Sequence, residues 1–400
     1  MLFTKQLDKV AALCQKHGFV YPVERVIGNC NVTGYNFGPL GALLRRNLLS
    51  EWWHSLLVEH GDIYAVEDCH LSPPSVTCHQ QTLDRNRSTL YCSGSASTEA
   101  THCDVRQSLL EEMLRHYLPT LMLVRRRIPF GLAQEGICVA LPIGDSEQTQ
   151  QHFLWSNVEQ HEMCVHYFVP PYLATQSLDI WQRTRLQWWK KFSGAPSKFT
   201  TVDVVANDNT ETDIVQETHI QYEFPWGQDT VEVLRNYGNR HIARLQDETG
   251  ISHEGKHSKK LVLPHQIECR AVLERGLLTY LLDACHEKLT AKQTHRTVVQ
   301  LHPRLAPYKV ALVCNGTKAT THVREVADHL VQELRRAGLT VLDLHDTTSP
   351  MDTQYTMFDE MGVLWTAVLN DATIKNGLVL LRSRDTTVKV TSQILHLLQT

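Results

Sequence analysis

The chain has 400 residues, of which 42% are hydrophobic and 20% charged, with 20 Gly and 15 Pro. This balance excludes collagenous, coiled-coil and wholly disordered proteins, and the length predicts two or three domains. The 39 Lys and Arg against 43 Asp and Glu give a net charge of -4, so nucleic-acid binding requires local basic clusters. The longest apolar runs, such as Leu277 to Leu282, are too short to span a membrane.

Cysteine and histidine spacing argues against a disulfide framework and against a metal site. The 11 Cys include no CxxC pair, which is typical of reduced thiols. His161 and His166 are five residues apart and would point in different directions on a helix or a strand, so we predict no metal and no cofactor. Residues 1–19 show neither a secretory core nor transit character, so no targeting peptide is visible.

The first strong helix is predicted to begin at Gly38-Pro39, where Pro suits the first helical position. Apolar residues then follow helical spacing from Leu40 to Leu56, which indicates a helix that faces the core. The composition from Leu71 to Asp104 changes to Ser, Thr, Cys, His and Gln, and this segment is predicted to be a mobile polar insertion or loop.

Further elements follow in chain order. Helical spacing returns from Ser108 to Val124 with a break near Pro119, and β-like runs follow at Gly136 to Leu141 and Cys164 to Val169. A tryptophan-rich helix ends at Lys190-Lys191, and Val205 to Glu217 is predicted to be a polar hairpin or loop. Strands and helices alternate after His295, which predicts a separate α/β domain.

Two basic clusters are the candidate nucleic-acid contacts. No Walker loop and no GxGxxG sequence occur, so two common phosphate-binding signatures are missing. Arg125, Arg126 and Arg127 form one cluster, and Lys256, Lys259 and Lys260 form the other. Such clusters bind phosphates by releasing counterions, although a solvated protein face remains the alternative for each cluster taken alone.

Several segments resemble known families. The segments GYNFGPLGALLRRNLLSEWW and IPFGLAQEG are similar to signature regions of glycyl-type class II aminoacyl-tRNA synthetases, and HPRLAPYKVAL resembles the entry to their anticodon-binding domain. Four others, RLQWWKKF, YEFPWG, LERGLLTYLLDA and NGLVLLRSRDTTVK, resemble the accessory subunits of animal mitochondrial DNA polymerase gamma, which are relatives of those synthetases. Together they cover nearly the whole chain outside residues 71–104.

The resemblance implies an α/β (α+β) fold with two domains. Residues 1–298 would form a class II synthetase-like antiparallel-sheet domain, interrupted by the insertion at 71–104. Residues 299–400 would form an anticodon-binding-like α/β domain with a mixed sheet.

The same resemblance implies that the synthetase chemistry is lost. Ala140 and Pro142 stand where the family's second motif has the Arg and the acidic residue that handle ATP. Val272 replaces the third-motif Gly that lets adenine approach the backbone, and a branched side chain there should block ATP. Arg275 survives, and we expect it to serve as a structural ion-pair residue with Glu274 as its candidate partner.

The implied function is that of a non-enzymatic processivity factor in the mitochondrial matrix nucleoid. It would bind duplex DNA and the polymerase catalytic subunit. The predicted polymerase-binding residues are Asp371, Thr373, Gly377, Leu378, Arg382, Arg384 and Asp385. A homodimer is a further candidate assembly, although residues 72–104 have a poor helical pattern for the inserted helices that join related vertebrate dimers. The alternatives are an active glycyl-type synthetase and a tRNA-binding module.

Overall fold

The computed structural model describes residues 2–27, 30–68, 71–72, 89–92, 101–106, 108–139, 153–154, 159–204, 214–289, 295–314, 320–344 and 349–393. The helices are α1 (Leu2–His17), α2 (Pro39–Leu57), α3 (Leu110–Arg115), α4 (Tyr117–Leu123), α5 (Ala174–Lys191), α6 (Arg240–Thr249), α7 (Leu273–Ala284), α8 (Thr320–Arg336), α9 (Met351–Glu360) and α10 (Asp371–Asn376). Two short 3-10 helices lie at Pro171–Leu173 and Pro196–Lys198.

The strands are β1 (Val20–Ile27), β2 (Cys30–Phe37), β3 (Ile63–Ala65), β4 (Leu71–Ser72), β5 (Thr89–Cys92), β6 (Thr101–Val105), β7 (Phe130–Val139), β8 (Glu159–Val169), β9 (Phe199–Val204), β10 (Gln216–Phe224), β11 (Gly227–Asn236), β12 (Gly255–His257), β13 (Lys260–Val262), β14 (His265–Val272), β15 (Cys285–Leu289), β16 (His295–Val299), β17 (Val310–Cys314), β18 (Val341–Asp343), β19 (Trp365–Leu369), β20 (Leu378–Ser383) and β21 (Lys389–Gln393).

A seven-stranded sheet forms the centre of the larger part of the chain. Its strand order is β3-β7-β8-β14-β11-β10-β9, and every neighbouring pair is antiparallel except β3 with β7 at one edge. Side chains of β7 and β8 alternate between two faces. Ala133 and Val165 belong to one buried cluster, whereas Leu132 and Cys164 belong to another. Both faces of this sheet are therefore covered by other elements.

Different helices cover the two faces. The first face packs against α2, α5 and α7, whose buried side chains include Leu48, Trp189 and Leu277. The second face packs in part against α3, α4 and α6, through residues such as Met113 and Tyr117. Polar side chains of β7, β8 and β14 also point to this second face, and they form the site described in the next subsection.

A five-stranded mixed sheet forms the C-terminal part of the chain. Its order is β18-β17-β19-β20-β21, with β18, β17 and β19 parallel and the remaining neighbours antiparallel. Helix α8 packs on one side through a face that includes Leu330 and Leu334, and Phe358 of α9 packs on the other side. The predicted domain limit at residue 298 falls inside β16, and the five-stranded sheet itself begins at Val310.

Most predicted elements occur where periodicity placed them, with three differences. Helix α1 precedes the first predicted helix. The predicted break near Pro119 lies instead at His116, because a Pro in the first turn of α4 loses only an N–H that has no partner within the helix. Within the predicted polar insertion, the described residues form strands β4, β6 and β5 of a small sheet rather than a loop.

The predicted polar loop between Val205 and Glu217 is described only from residue 214 onward, and its end belongs to β10. Among the described residues, no helix is both long and apolar enough to cross a membrane.

Candidate functional site

The two basic clusters predicted from the sequence meet in the folded chain. Arg127 pairs with Lys256 in an isolated parallel β-bridge, Ile128 N donates to Lys256 O at 3.2 Å, and Lys256 N donates to Arg126 O at 2.5 Å. This bridge joins the turn after α4 to the hairpin formed by β12 and β13. The fold therefore combines both clusters into a single surface.

Three further hydrogen bonds of Arg126 hold this surface together. Arg126 Nη1 donates to Ser252 O at 3.1 Å and to Glu254 O at 2.9 Å, and Arg126 N donates to Leu121 O at 2.7 Å. Arg125 and Arg126 both adopt left-handed backbone conformations, with φ of 55° and 60°. Arg126 thus fastens the turn to the segment that leads into β12.

The other five basic side chains are exposed to solvent, and we call them the basic surface: Arg125, Arg127, Lys256, Lys259 and Lys260. A cleft of about 370 Å³ opens beside Arg125 and Arg127, and Asp62 lies on its wall. Glu254, whose backbone carbonyl accepts from Arg126, is half-buried. The basic surface can contact several phosphates at once.

The second face of the seven-stranded sheet, which carries the predicted motif residue Val272, holds several ion pairs. Glu162 on β8 contacts Arg270 on β14; Glu162 is buried and Arg270 is half-buried. Arg235 Nε donates to Glu217 Oε2 at 3.0 Å, and its Nη1 lies 3.5 Å from Glu268 Oε2. The Arg235–Glu217 pairing lowers the pKa of Glu217 against the opposing effect of its burial, which is the largest single influence on that carboxyl.

Arg106 occupies the same face, and no sequence pattern pointed to it. Its guanidinium is buried, donating to Glu112 Oε2 at 3.0 Å and, through Nε, to Ile137 O at 3.0 Å. A Cβ atom on Gly136 would lie 2.1 Å from Arg106 Nη2, so the guanidinium rests directly on the glycine backbone. Arg106 and Glu112 are six residues apart, which is neither a helical nor a strand spacing, and this is why the pair could not be anticipated.

The predicted motif losses are only partly within the described residues. Val272 ends β14, immediately before α7, and is buried. Ala140 and Pro142 lie outside the described residues. The expected partnership of Glu274 with Arg275 is wrong, because Glu274 instead lies 3.4 Å from Arg45 and accepts a hydrogen bond from His161 N at 2.9 Å.

Burial raises the pKa of Glu274, and the nearby Arg45 guanidinium counteracts part of that rise. Arg45, His161 and Glu274 line a cleft of about 490 Å³ at the N-terminal end of α2. The cleft lies next to the β1–β2 hairpin, which contributes Tyr35 to its wall. Of the two arginines that line this cleft, Arg45 lies close to a carboxylate of the protein, and Arg46 is exposed to solvent.

Three buried polar side chains come together beside these ion pairs. Cys164 and His166 on β8 and Glu268 on β14 place one sulfur, one nitrogen and one oxygen atom within 4.8 Å of one another. Burial lowers the pKa of His166 to about 4, so its ring is neutral at physiological pH. His161 and His166 point to opposite sides of β8, and His161 contacts Glu135 instead, in agreement with the prediction that these two histidines share no metal.

The residues predicted to bind the polymerase lie on α10, β20 and the turn after β20. Gly377 follows α10 with φ of +65°, and its N–H donates to Thr373 O at 2.8 Å. Gly377 and Asp385 are exposed and Leu378 is half-buried, whereas Thr373 is buried. Asp371 is the first residue of α10.

Arg382 and Arg384 are also buried, with only 2% and 3% of their surfaces exposed, so they are not part of an exposed platform. Arg382 pairs with Asp359, and Arg384 donates to Gly362 O and Leu301 O, each at 3.0 Å. Arg384 also pairs with its neighbour Asp385. The polymerase-binding role of the segment stays a prediction.

The chain is similar to proteins of two kinds. It is 32% identical to "DNA polymerase subunit gamma-2" of Bos taurus, with 96% of this chain and 82% of that protein covered. It is 33% identical to "DNA polymerase subunit gamma-2, mitochondrial" of Xenopus laevis, with 97% and 85% covered. It is 23% identical to a glycine–tRNA ligase of Borrelia garinii, with 95% and 93% covered.

Domain and fold comparisons agree with the two sheets. A family model described as "Anticodon binding domain" matches residues 309–400. The fold matches a prolyl-tRNA synthetase of Giardia lamblia, solved in complex with prolyl-adenylate, with a TM-score of 0.68 and 14% identity over 99% of this chain and 76% of that chain. The predicted class II synthetase-like fold with a C-terminal anticodon-binding-like domain is confirmed.

Proposed function

Because the chain belongs to the family of DNA polymerase subunit gamma-2, we propose that it is the non-catalytic accessory subunit of a mitochondrial DNA polymerase. In this role it binds duplex DNA and the catalytic subunit, and it raises the processivity of mitochondrial DNA replication in the matrix nucleoid. The observation that carries the DNA-binding part is the bridge between Arg127 and Lys256, which joins two separate clusters into the basic surface.

The charges of the basic surface suit a sequence-independent contact with duplex DNA. Its five side chains extend into solvent from a turn and a hairpin that are fixed to each other by backbone hydrogen bonds. Arg and Lys contacts to phosphates release counterions and carry no sequence information. The surrounding protein has a net charge of -4, so the attraction is local and should be strongly screened by salt.

A titration of labelled duplex DNA against salt concentration tests this contact. The triple variant Arg125→Glu/Lys256→Glu/Lys260→Glu should weaken binding and reduce the salt slope by about 0.9 for each lost phosphate contact. The matched control Arg183→Glu/Arg324→Glu/Arg335→Glu changes the net charge equally at exposed residues elsewhere. Equal affinities and slopes for wild type, variant and control would leave the basic surface as a merely solvated face.

Loss of synthetase activity is supported by the occupied sheet face. Two guanidinium groups on this face, which would otherwise attract the phosphates of a nucleotide, are neutralised by carboxylates of the protein. The pairs are Arg106–Glu112 and Arg270–Glu162. Displacing a guanidinium from a buried pair leaves an uncompensated carboxylate, which opposes nucleotide binding. An active synthetase is therefore the weaker alternative, despite the similarity to glycine–tRNA ligases.

A tRNA-binding module remains the second candidate function, because the anticodon-binding model matches residues 309–400. Competition between labelled duplex DNA and unlabelled tRNA separates the two functions. An accessory polymerase subunit should prefer the duplex and stimulate long products on a primed template with the catalytic subunit. Preferential tRNA binding together with unchanged product length would favour the module instead.

We place the contact with the catalytic subunit at the end of α10, the start of β20 and the turn that carries Asp385. Gly377, Leu378 and Asp385 are its accessible members. Three buried residues hold these accessible members in place. The Thr373 hydroxyl accepts a hydrogen bond from Asn370 N at 3.1 Å. Arg382 fixes β20, and Arg384 fixes the turn after it.

The experiment is a binding titration with the catalytic subunit. Gly377→Glu adds a bulky negative charge at an exposed position, whereas the control Gly377→Gln has nearly the same size and the same strain at positive φ but no charge. Both proteins should melt similarly, but only the Glu variant should bind the catalytic subunit weakly and fail to stimulate synthesis. Wild-type affinity in the Glu variant would remove this surface from the proposal.

A further inference from the structure

A buried cluster on the former substrate face has the composition and size of a zinc site. Cys164 Sγ lies 3.4 Å from His166 Nε2 and 3.8 Å from Glu268 Oε1, and His166 Nε2 lies 3.9 Å from Glu268 Oε1. All three residues have at most 2% of their surface exposed. They belong to the neighbouring strands β8 and β14, whose register places His166 directly opposite Glu268.

The spacing of the three donor atoms fits one face of a tetrahedral zinc site. Zinc bonds of about 2.0–2.3 Å to oxygen, nitrogen and sulfur separate neighbouring ligand atoms by roughly 3.3–3.6 Å. The observed separations exceed this range by a few tenths of an ångström at most. Small side-chain movements of Cys164 and Glu268 therefore suffice to bring all three atoms to bonding distance.

Hydrogen bonds from the surroundings orient two of the three ligands. Gln266 lies 2.7 Å from His166 Nδ1, and Tyr237 Oη donates to Glu268 Oε2 at 2.9 Å. The Gln266 amide nitrogen faces His166 Nδ1, and its amide oxygen lies 3.0 Å from His241 Nδ1. Zinc binding through His166 Nε2 requires the imidazole proton on Nδ1, and a half-turn of the Gln266 amide would bring its oxygen to accept that proton. Such outer hydrogen bonds are the usual support of a metal-binding histidine or carboxylate.

A fourth polar group points into the same region. Gln134 on β7 lies directly opposite Cys164 in the β7–β8 register and is fully buried. Within the described part of the chain, neither its amide nitrogen nor its amide oxygen has a hydrogen-bond partner. A buried amide without partners is costly, and a water molecule on a metal at this place would supply one.

We propose that Cys164, His166 and Glu268 bind a zinc ion, with water at the fourth position. A thiolate, an imidazole and a carboxylate together favour zinc over magnesium or calcium, which prefer oxygen ligands alone. Binding converts the Cys164 thiol to a thiolate and releases its proton, with no change of oxidation state. The ion would tie β8 to β14 and exclude an aminoacyl substrate from this face.

The test measures metal content and cobalt spectra of the full chain. Protein purified from zinc-supplemented cells should retain about one zinc ion per chain, and cobalt substitution should give a thiolate-to-cobalt charge-transfer band. Cys164→Ala should lose that band. The control Cys269→Ala removes an equally buried thiol from the opposite face of β14 and should keep it.

A melting experiment keeps the proposal testable even if Cys164→Ala fails to fold. Removing zinc from the wild-type protein with a chelator should lower its melting temperature, and added zinc should restore it, because an ion that binds only the folded state stabilises that state. A zinc content far below one ion per chain, with no thiolate band and no effect of chelator or added zinc, would overturn the proposal.

Discussion

Arg382 and Asp359 form a buried bidentate ion pair between β20 and α9. Arg382 Nη1 donates to Asp359 Oδ1 and Nη2 to Oδ2, each at 3.0 Å. Arg296 also contacts the same carboxylate, and the Arg382 guanidinium lies 4.6 Å from the centre of the Tyr355 ring. The Asp359 carboxylate on α9 therefore connects β20, through Arg382, with the β15–β16 hairpin, through Arg296.

We expect Arg382→Ala to destabilise the C-terminal part of the chain by about 1.5–3 kcal/mol, because it removes two hydrogen bonds to the buried Asp359 carboxylate while Arg296 still contacts that carboxylate. Thermal and denaturant unfolding measure this loss. The control Lys375→Ala changes an exposed residue near the end of α10 and should melt like wild type. If Arg382→Ala instead melts like wild type and loses only polymerase affinity, Arg382 contacts the partner directly and the structural role assigned to it is wrong.

This pair shows what the sequence could not provide. Arg382 lies on a strand, where a charged residue is normally solvent-facing, and its partner Asp359 lies on a helix whose position depends on the tertiary fold. Neither local spacing nor composition links the two residues. The sequence therefore predicted an exposed platform in which Arg382 and Arg384 were members.

Local patterns were sufficient for many elements. Helical spacing identified α2 and α5, and Gly338, with φ of +83°, follows the end of α8. The basic clusters were also recognised, but their meeting depends on one long-range bridge between Arg127 and Lys256. The same limit applies to Cys164 and Glu268, which lie on strands that become neighbours only in the sheet.

The left-handed backbone at Arg125 allows its charge to be tested separately from its conformation. A non-glycine residue with φ of 55° costs roughly 1–2 kcal/mol. We expect Arg125→Gly to be more stable than Arg125→Ala by about 1 kcal/mol, because glycine adopts this conformation without strain. Both variants should lose the same DNA affinity, since both lack the guanidinium. Chemical denaturation and DNA titration of the two proteins measure these effects, and unequal affinities would show that turn geometry rather than charge controls binding.

We expect the chain to lack synthetase activity even when the family's motif residues are restored. We expect neither the wild-type chain nor Ala140→Arg/Pro142→Glu/Val272→Gly to catalyse pyrophosphate exchange with glycine, proline, threonine or histidine. The pairs Arg106–Glu112 and Arg270–Glu162 still fill the sheet face in the repaired variant. The assay needs a folded triple variant, verified by its melting curve, and an active glycyl-tRNA synthetase as positive control. Exchange above background in the repaired variant would mean that the three motif positions alone explain the loss, and exchange in the wild type would contradict the proposed function.

The close approach of Arg106 to Gly136 leads to a double-mutant prediction. A methyl group at Gly136 would overlap Arg106 Nη2, and the guanidinium is held by Glu112 and Ile137 O. We expect Gly136→Ala to destabilise the fold by about 1–3 kcal/mol through overpacking, and Arg106→Ala by about 3–5 kcal/mol through loss of the buried ion pair with Glu112.

In Arg106→Ala/Gly136→Ala the added methyl group no longer meets the guanidinium. The double variant should therefore be no less stable than Arg106→Ala alone, which gives a coupling free energy of about 1–3 kcal/mol between the two positions. Urea unfolding of the wild type, both single variants and the double variant measures this coupling. If the two losses of unfolding free energy are additive, Gly136→Ala acts through the β7 backbone. The Arg106 guanidinium would then not be the group that occupies this part of the sheet face.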